Sequence, residues 1–375
     1  MPTHAGDTHR ADVPATATNA AIGHGPPRRP GLPSTRLGIH GVVWLGVRGG
    51  FTVGGMNLTH PHPDLRERRS PEQDASPERD LFAVTAATSA TGSAVVRALL
   101  DHGAPVLAVG RDRERLHPYA ERGARTHVSP LDDEERLTAA VADATGAFVM
   151  LAPGFIPDSP DFQAYQRAAI AAQAQAVRNA YRHGRLRRVV TLSGWAANHP
   201  GASGPVWGLE RLERAIDATG VPAVHLRAGW FMENLLPDIA AIRATGATGG
   251  LLPPDLPLPM VATSDIGRVA AEFLRGVRPF VPGPVEVTGP ADRTLAEAVR
   301  LIGAAVGRTA RYEVRTADDV RAALRAGGFS DHMADGTVAM TLDVAHGRIR
   351  MRRPAGTIVT TTTLEEFVRA AVTTS

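Results

Sequence analysis

The chain has 375 residues, 43% of them hydrophobic, with a formal net charge of only +3 and no cysteine. That is enough apolar content for a substantial core, too little net charge to argue for nucleic acid, and a composition that excludes disulfides, thiolate metal sites and cysteine nucleophiles. Lysine is also absent, so every basic residue is arginine or histidine and Schiff-base chemistry is excluded.

Residues 1–79 are rich in Pro, Gly, His and Arg without sustained periodicity and read as a disordered or weakly structured extension. Its one apolar stretch, Gly38 to Met56, is broken by Arg48 and several glycines and is too interrupted to span a bilayer. Arg28-Arg29 stand upstream, but no small-residue cleavage pattern follows, which argues against export. Met56 is expected as the natural start, and the protein is expected to be cytoplasmic. His60 and His62 have no further ligands nearby, so no metal site is assigned.

From Leu81 strand and helix patterns alternate. Leu81 to Val84 enters a turn of small residues, and Val95, Val96, Leu99 and Leu100 give the following segment a helical period to about His102. The turn has the spacing of a dinucleotide-binding loop, with Ala86 at the first glycine position, Ser89 at the second and Gly92 surviving as the third. Pro105 to Val109, Thr126 to Val128, Ala147 to Leu151, Arg188 to Leu192 and Ala223 to Arg227 read as further strands. Asp132 and Asp133 start a helix, a long Ala- and Gln-rich helix runs from about Pro160 to His183, and another from about Val206 to Thr219. Such alternation with non-alternating strands predicts an α/β doubly wound parallel Rossmann sheet, with its ligand at the carboxyl ends of the strands.

Beyond Trp230 the pattern changes. Pro253, Pro254, Pro257 and Pro259 mark a crossing segment, and Val285 to Val287 resembles a short strand. Helices near 295–306, 318–326 and 364–371 complete a small C-terminal α/β substrate lobe. The Rossmann core is placed at about 80–230 and the lobe in 231–375.

Several segments in order resemble the NmrA-like, atypical branch of the short-chain dehydrogenase/reductase superfamily. They are VTAATSATGSAVVRALL from Val84, GRDRERL from Gly110, RVVTLSG from Arg188, LRAGWFMENLL from Leu226, PLPMVATSDIGRVAAEFL from Pro257 and VTGPADRTLAEAVRLIG from Val287. The resemblance implies that the amides of Thr88, Ser89, Ala90 and Thr91, with Gly92, face a pyrophosphate at a helix N-terminus. It further implies Arg111 at the adenosine ribose, Leu131 at the adenine, Ala152 and Pro153 at the cofactor ribose, and Gly229, Trp230 and Phe231 at the nicotinamide end. A guanidinium at Arg111 suits a 2′-phosphate, so NADPH is favoured over NADH, although the degenerate glycine motif also admits a chain that binds neither.

The tyrosine and lysine that the superfamily pairs four residues apart are missing from Ser203 to Ile216, SGPVWGLERLERAI. The remaining candidates for chemistry are Ser193, where the superfamily places a carbonyl-binding serine, and His199 in the loop after that strand. Trp195, Trp207, Trp230 and His332 are expected to line a pocket for a flat aromatic molecule. His225 reads as a core residue, Asn234 as a helix cap, Glu233 as a loop anchor and Asp265 as part of a helix start.

The leading expectation is an NADPH-dependent oxidoreductase, a ketone or quinone reductase of a bulky aromatic secondary metabolite. The same departures admit a non-catalytic NAD(P)-sensing regulator, or a cofactor-independent lyase, isomerase or cyclase. The expected partner is a small aromatic molecule, with no nucleic acid or membrane, and with homodimer formation left open.

Overall fold

The computed structural model describes residues 39–40, 80–151 and 158–374. The readings of the N-terminal extension and of Met56, and the assignments to Ala152 and Pro153, lie outside the described residues. After a two-residue strand β1 (Ile39–His40), the chain alternates β2 (Phe82–Val84), α1 (Ala90–Asp101), β3 (Val106–Gly110), α2 (Arg113–Glu121), β4 (Arg125–Val128), α3 (Glu134–Val141), β5 (Gly146–Met150), α4 (Phe162–Arg182), β6 (Arg188–Gly194), α5 (Leu209–Asp217) and β7 (Ala223–Ala228). The second half adds β8 (Trp230–Phe231), α6 (Leu236–Thr245), β9 (Ala247–Gly250), β10 (Met260–Val261), α7 (Thr263–Leu274), β11 (Gly283–Thr288), α8 (Leu295–Val306), β12 (Arg311–Val314), α9 (Ala317–Ala326), α10 (Asp331–Ala345), β13 (Ile358–Val359) and α11 (Leu364–Thr374).

Eight strands form one sheet in the order β13-β11-β7-β6-β5-β2-β3-β4, with every neighbouring pair parallel. All residues of β2, β3 and β5 are buried, as strands covered by helices on both faces must be. This is the doubly wound Rossmann sheet. Strand order reverses between β2 and β5, which opens the crevice where such sheets bind ligands.

The C-terminal half does not form the lobe alone. β11 and β13 extend the large sheet, and α7 packs on α1 over it, adding Ile266, Val269, Phe273 and Leu274 to the main core. The crossing is close because Gly267 has no side chain: a Cβ there would lie 2.5 Å from Ala94 Cβ and 2.6 Å from Ala94 C. Apolar periodicity cannot tell a helix that covers the sheet from one that covers the lobe, so the sequence boundary near residue 230 is too simple. The lobe is built around a second core containing Trp195, Trp230, Leu235, Ile239, Ile302 and Leu364, and a third, small core joins Leu251 to Val320 and Leu324 of α9 and Ala334 and Val338 of α10.

Helix α10 was not legible from propensity, because Gly336, Thr337 and Val338 sit in its middle. Packing supplies the reason: α10 lies against the single turn Gly204–Val206, and a Cβ on Gly336 would come within 2.7 Å of Gly204 Cα. That turn also delays the helix expected from Val206, so α5 begins at Leu209. Asp133 caps α3 through the Arg136 amide, as its position suggests. Asn234, in contrast, is not a cap: α6 starts from Leu235 with no side-chain cap.

Candidate nucleotide and substrate site

The turn between β2 and α1 is pinned on both sides, with the Thr85 amide donating to Phe148 O of β5 and the Ala87 amide to Val109 O of β3. Ala86 holds a left-handed backbone, φ 50°, a conformation that costs a residue with a Cβ about 1–2 kcal/mol. The first glycine position has therefore kept the glycine geometry without the glycine. Ala86→Gly is expected to leave stability unchanged or raise it by up to about 1 kcal/mol, which urea denaturation would measure; a clear loss would show that the Ala86 methyl packs too well to be dispensable.

Ser89, at the second glycine position, is the N-cap of α1. Its Oγ accepts from the Gly92 amide at 3.1 Å, while its own amide donates to Ala86 O at 2.9 Å. The expectation that the Ser89 amide faces a pyrophosphate is thus not met, since the turn itself takes that donor. Thr88 is half-buried and Ala90 exposed, and the amides of Ala90 and Thr91, in the first turn, have no intrahelical acceptor. Thr91 is buried and its Oγ1 has no partner. Gly92 keeps the turn against the helix: a Cβ would lie 2.2 Å from Ala86 O and 2.8 Å from Ala86 C. Together these leave an open helix N-terminus at the switch point, the local arrangement that binds a phosphate.

Arg111 follows β3 and is exposed. Its neighbour Asp112 is engaged as the α2 cap, accepting from the Glu114 and Arg115 amides at 2.9 and 3.2 Å, so the carboxylate beside Arg111 is turned into the helix. Arg115, which sequence reasoning passed over, donates to Thr88 O at 2.7 Å and ties α2 to the turn between β2 and α1. Leu131 is buried.

At the other end of the crevice Gly229 permits the close passage of Pro259, whose carbonyl oxygen would lie 2.0 Å from a Cβ. Trp230 then donates its amide to Pro259 O and begins a short parallel pairing with Met260 and Val261. Trp230 and Phe231 are buried, and the Trp230 Nε1 has no partner. Glu233 anchors this segment by accepting from the amide and hydroxyl of Thr263 at 2.9 and 2.6 Å. Burial pushes its carboxyl above the usual range, against the lowering effect of those bonds. Asp265, in the first turn of α7, pairs with Arg268 and accepts from the Thr362 amide at 3.0 Å.

Of the two catalytic candidates, Ser193 is committed elsewhere. Ser193 is fully buried and donates its hydroxyl to Glu213 Oε1 at 2.5 Å. Glu213, on the inner face of α5, is held by two bonds from Arg227 of β7, at 2.9 and 2.6 Å; Arg227 reaches Asn198 Oδ1 at 2.5 Å, and Asn198 donates to Glu286 of β11 at 3.1 Å. Glu286 in turn accepts the amides of Arg352 and Arg353. His199 is half-buried, with Nε2 3.6 Å from Asp343 Oδ2 of α10. His225 is a core residue, between Thr191 Oγ1 at 2.7 Å and Asp217 Oδ1 at 2.9 Å.

The tryptophans do not share one pocket. Trp195 and Trp230 are buried in the lobe core, whereas Trp207 stands between α4 and α5 beneath the guanidinium of Arg211, 4.0 Å from its ring centre, with Arg167 at 5.7 Å. It lines an open groove of about 430 Å³ together with Ile170, Ala174 and Ala215. His332 is exposed in the first turn of α10. Beside it Ser330 donates to Ser159 O at 2.6 Å, which fastens the start of α10 to the residues just before α4. No group of metal-ligating side chains occurs among the described residues, and no helix among them is long and apolar enough to cross a membrane.

Residues 78–341 match the family model described as the NmrA-like family. The chain belongs to that family. This NmrA-like chain is 30% identical over 249 residues to a (4-alkanoyl-5-oxo-2,5-dihydrofuran-3-yl)methyl phosphate reductase of Streptomyces griseus, covering 66% of this chain and 81% of the relative. It is 28% identical over 268 residues to an NAD(P)H azoreductase of Xenophilus azovorans, covering 68% and 84%. Its fold is shared by an NADPH-dependent quinone oxidoreductase of Escherichia coli, with TM-score 0.61, 20% identity and 77% and 98% of the two chains covered. The triphenylmethane reductase of a Citrobacter species, solved with NADP(H), has TM-score 0.63 at 18% identity, with 77% and 99% covered.

Proposed function

We propose that this chain is an NADPH-dependent reductase of a bulky, flat aromatic ketone or quinone of secondary metabolism, working without the tyrosine-lysine pair. Its standing as an NAD(P)H-dependent oxidoreductase rests on the reductases among its relatives. The observation that carries the cofactor reading is the cradle at the switch point: the Gly92 contact, the left-handed Ala86, the open first turn of α1 and the unpartnered Thr91 Oγ1 fit a nucleotide pyrophosphate. When bound, the cofactor would supply a hydride.

Ala90 and Thr91 would hold the pyrophosphate through their amides, and Arg111 the 2′-phosphate. The buried faces of Trp230 and Phe231 would exclude water from the reacting end. Because Ser193 serves Glu213, its hydroxyl is not free for an acceptor oxygen, and His199 is turned toward Asp343 at 3.6 Å, beyond hydrogen-bond reach. Polarisation then falls to the substrate itself, for example a phenol hydrogen-bonded to its own carbonyl, or to ordered water. His332 and the first turn of α10 would border the substrate.

Calorimetric titration with NADPH and NADH, followed by NADPH oxidation with aromatic ketones and quinones, tests this reading. Arg111→Ala is expected to weaken NADPH about tenfold or more, as loss of a charged phosphate contact should, and to leave NADH nearly unchanged. Equal weakening of both would remove the 2′-phosphate assignment, and a wild-type chain that binds neither would remove the reductase reading.

A further inference from the structure

We infer that Gln166 is a specificity residue at the reacting end of the crevice, its side-chain oxygen accepting a hydrogen bond from a hydroxyl group of the aromatic substrate. This deepens the reductase reading above and rests on it. Gln166 lies in α4 and is 2% exposed. Packing contacts fix its place. Gly208, just before α5, has no side chain, and a Cβ there would lie 2.5 Å from Leu151 Cδ1 and 3.3 Å from Gln166 Cδ. Leu151 is the first residue past β5. The next residue after Gly208, Leu209, packs on the last residue of β6: a Cβ on Gly194 would lie 3.1 Å from Leu209 Cδ1. Gln166 is thus held at the carboxyl ends of β5 and β6. In the strand order this is the side of β2 that leads to β7 and Trp230, away from Arg111 at the end of β3.

The Gln166 amide is oriented by one bond, in which Nε2 donates to Pro205 O at 3.1 Å. Only the nitrogen can bond to a carbonyl oxygen, so Oε1 is left for another partner. Oε1 is buried and has none. A buried acceptor without a donor is a net cost to the fold. The nearby hydroxyls do not meet it. Ser203 Oγ precedes the turn that carries Pro205, and Thr337 lies across that turn on α10, its amide 3.0 Å from where a Cβ on Gly204 would stand; both hydroxyls are themselves buried and unpartnered. An amide oxygen only accepts, so the group that completes it must bring a proton. On a flat aromatic molecule that group is a phenol or alcohol, and its methyl ether offers nothing to Oε1. A site with such an oxygen discriminates against substrates that lack the hydroxyl.

The test compares 2-naphthol with 2-methoxynaphthalene as probes, titrated by calorimetry into the full chain with and without NADPH. The wild type is expected to bind the naphthol about tenfold more tightly than the ether, and Gln166→Leu to bind the two within about twofold of each other. Thermal denaturation checks that the variant folds, and Gln166→Met carries the same comparison if it does not. A wild type that binds the ether as well as the naphthol, or binds neither, overturns the assignment. So does a preference for the naphthol that survives in the variant, because it would come from shape or from another residue. A chain that binds no NADPH overturns the reductase reading, whereas NADPH binding without a naphthol preference overturns the Gln166 assignment alone.

Discussion

Arg227→Ala is expected to cost about 3–5 kcal/mol, the usual effect of leaving the other half of a buried ion pair behind. Glu213 is buried and receives two bonds from Arg227 and one from Ser193. Without the guanidinium its carboxylate has only the serine hydroxyl, and the Asn198 side chain loses a donor as well. For a domain of this size the melting temperature should fall by roughly 10 °C, and urea denaturation should show the same loss. The damage should also reach the crevice, because the network holds the turn Trp195–Asn198 and the backbone at Arg352 and Arg353 to the ends of β6, β7 and β11. A paired replacement, Glu213→Leu with Arg227→Met, should recover most of the stability, since two apolar side chains leave no buried charge. If the single variant melts like the wild type, the pair is solvated in solution and the network does not organise the site.

Gly92→Ala should be the most damaging change near the nucleotide cradle. The added Cβ would meet Ala86 O at 2.2 Å, and the atom it meets is backbone, already in a left-handed conformation and tied to the sheet through its neighbours. Relief requires α1 to move off the turn, which breaks the Ser89 cap and separates the Ala90 and Thr91 amides from the crevice. Overpacking of this kind costs about 1–3 kcal/mol, and NADPH binding should be lost even where the variant folds. Circular dichroism and calorimetry together separate the two effects. A folded Gly92→Ala protein that binds NADPH normally would show that the pyrophosphate does not depend on this turn.

The strands and most helices were legible because burial on both faces and a 3.6-residue period are written directly in runs such as Val106 to Val109 and in α1. The cradle was legible in part. Spacing located Ala86, Ser89 and Gly92, but only the backbone shows that Ala86 takes up a glycine's conformation and that Ser89 has become a cap. Ser193 and His199 were placed by their positions at the end of β6 and in the loop after it, and position says nothing about neighbours that arrive from 20 residues away on α5 or 144 residues away on α10. A signal for the first of these did exist: Glu213 lies on the same face of α5 as Leu209, Leu212 and Ile216, so a carboxylate was due to be buried and needed a partner. Trp207 lies next to the same face yet turns outward, which no periodicity in that short helix distinguishes.

Helices α9 and α10 share a small core with Leu251, and α10 also meets the rest of the chain through Ser330 on Ser159, Gly336 on Gly204, Asp343 near His199, and Met340 and Val344 in the second core. The turn between β2 and α1 draws on none of these contacts, since its own come from 85–92, 109–115 and β5, with α7 bracing α1. Substitutions on α10 can therefore change its contacts with Ser159, Gly204 and the second core without touching the turn that carries Ala86, Ser89 and Gly92.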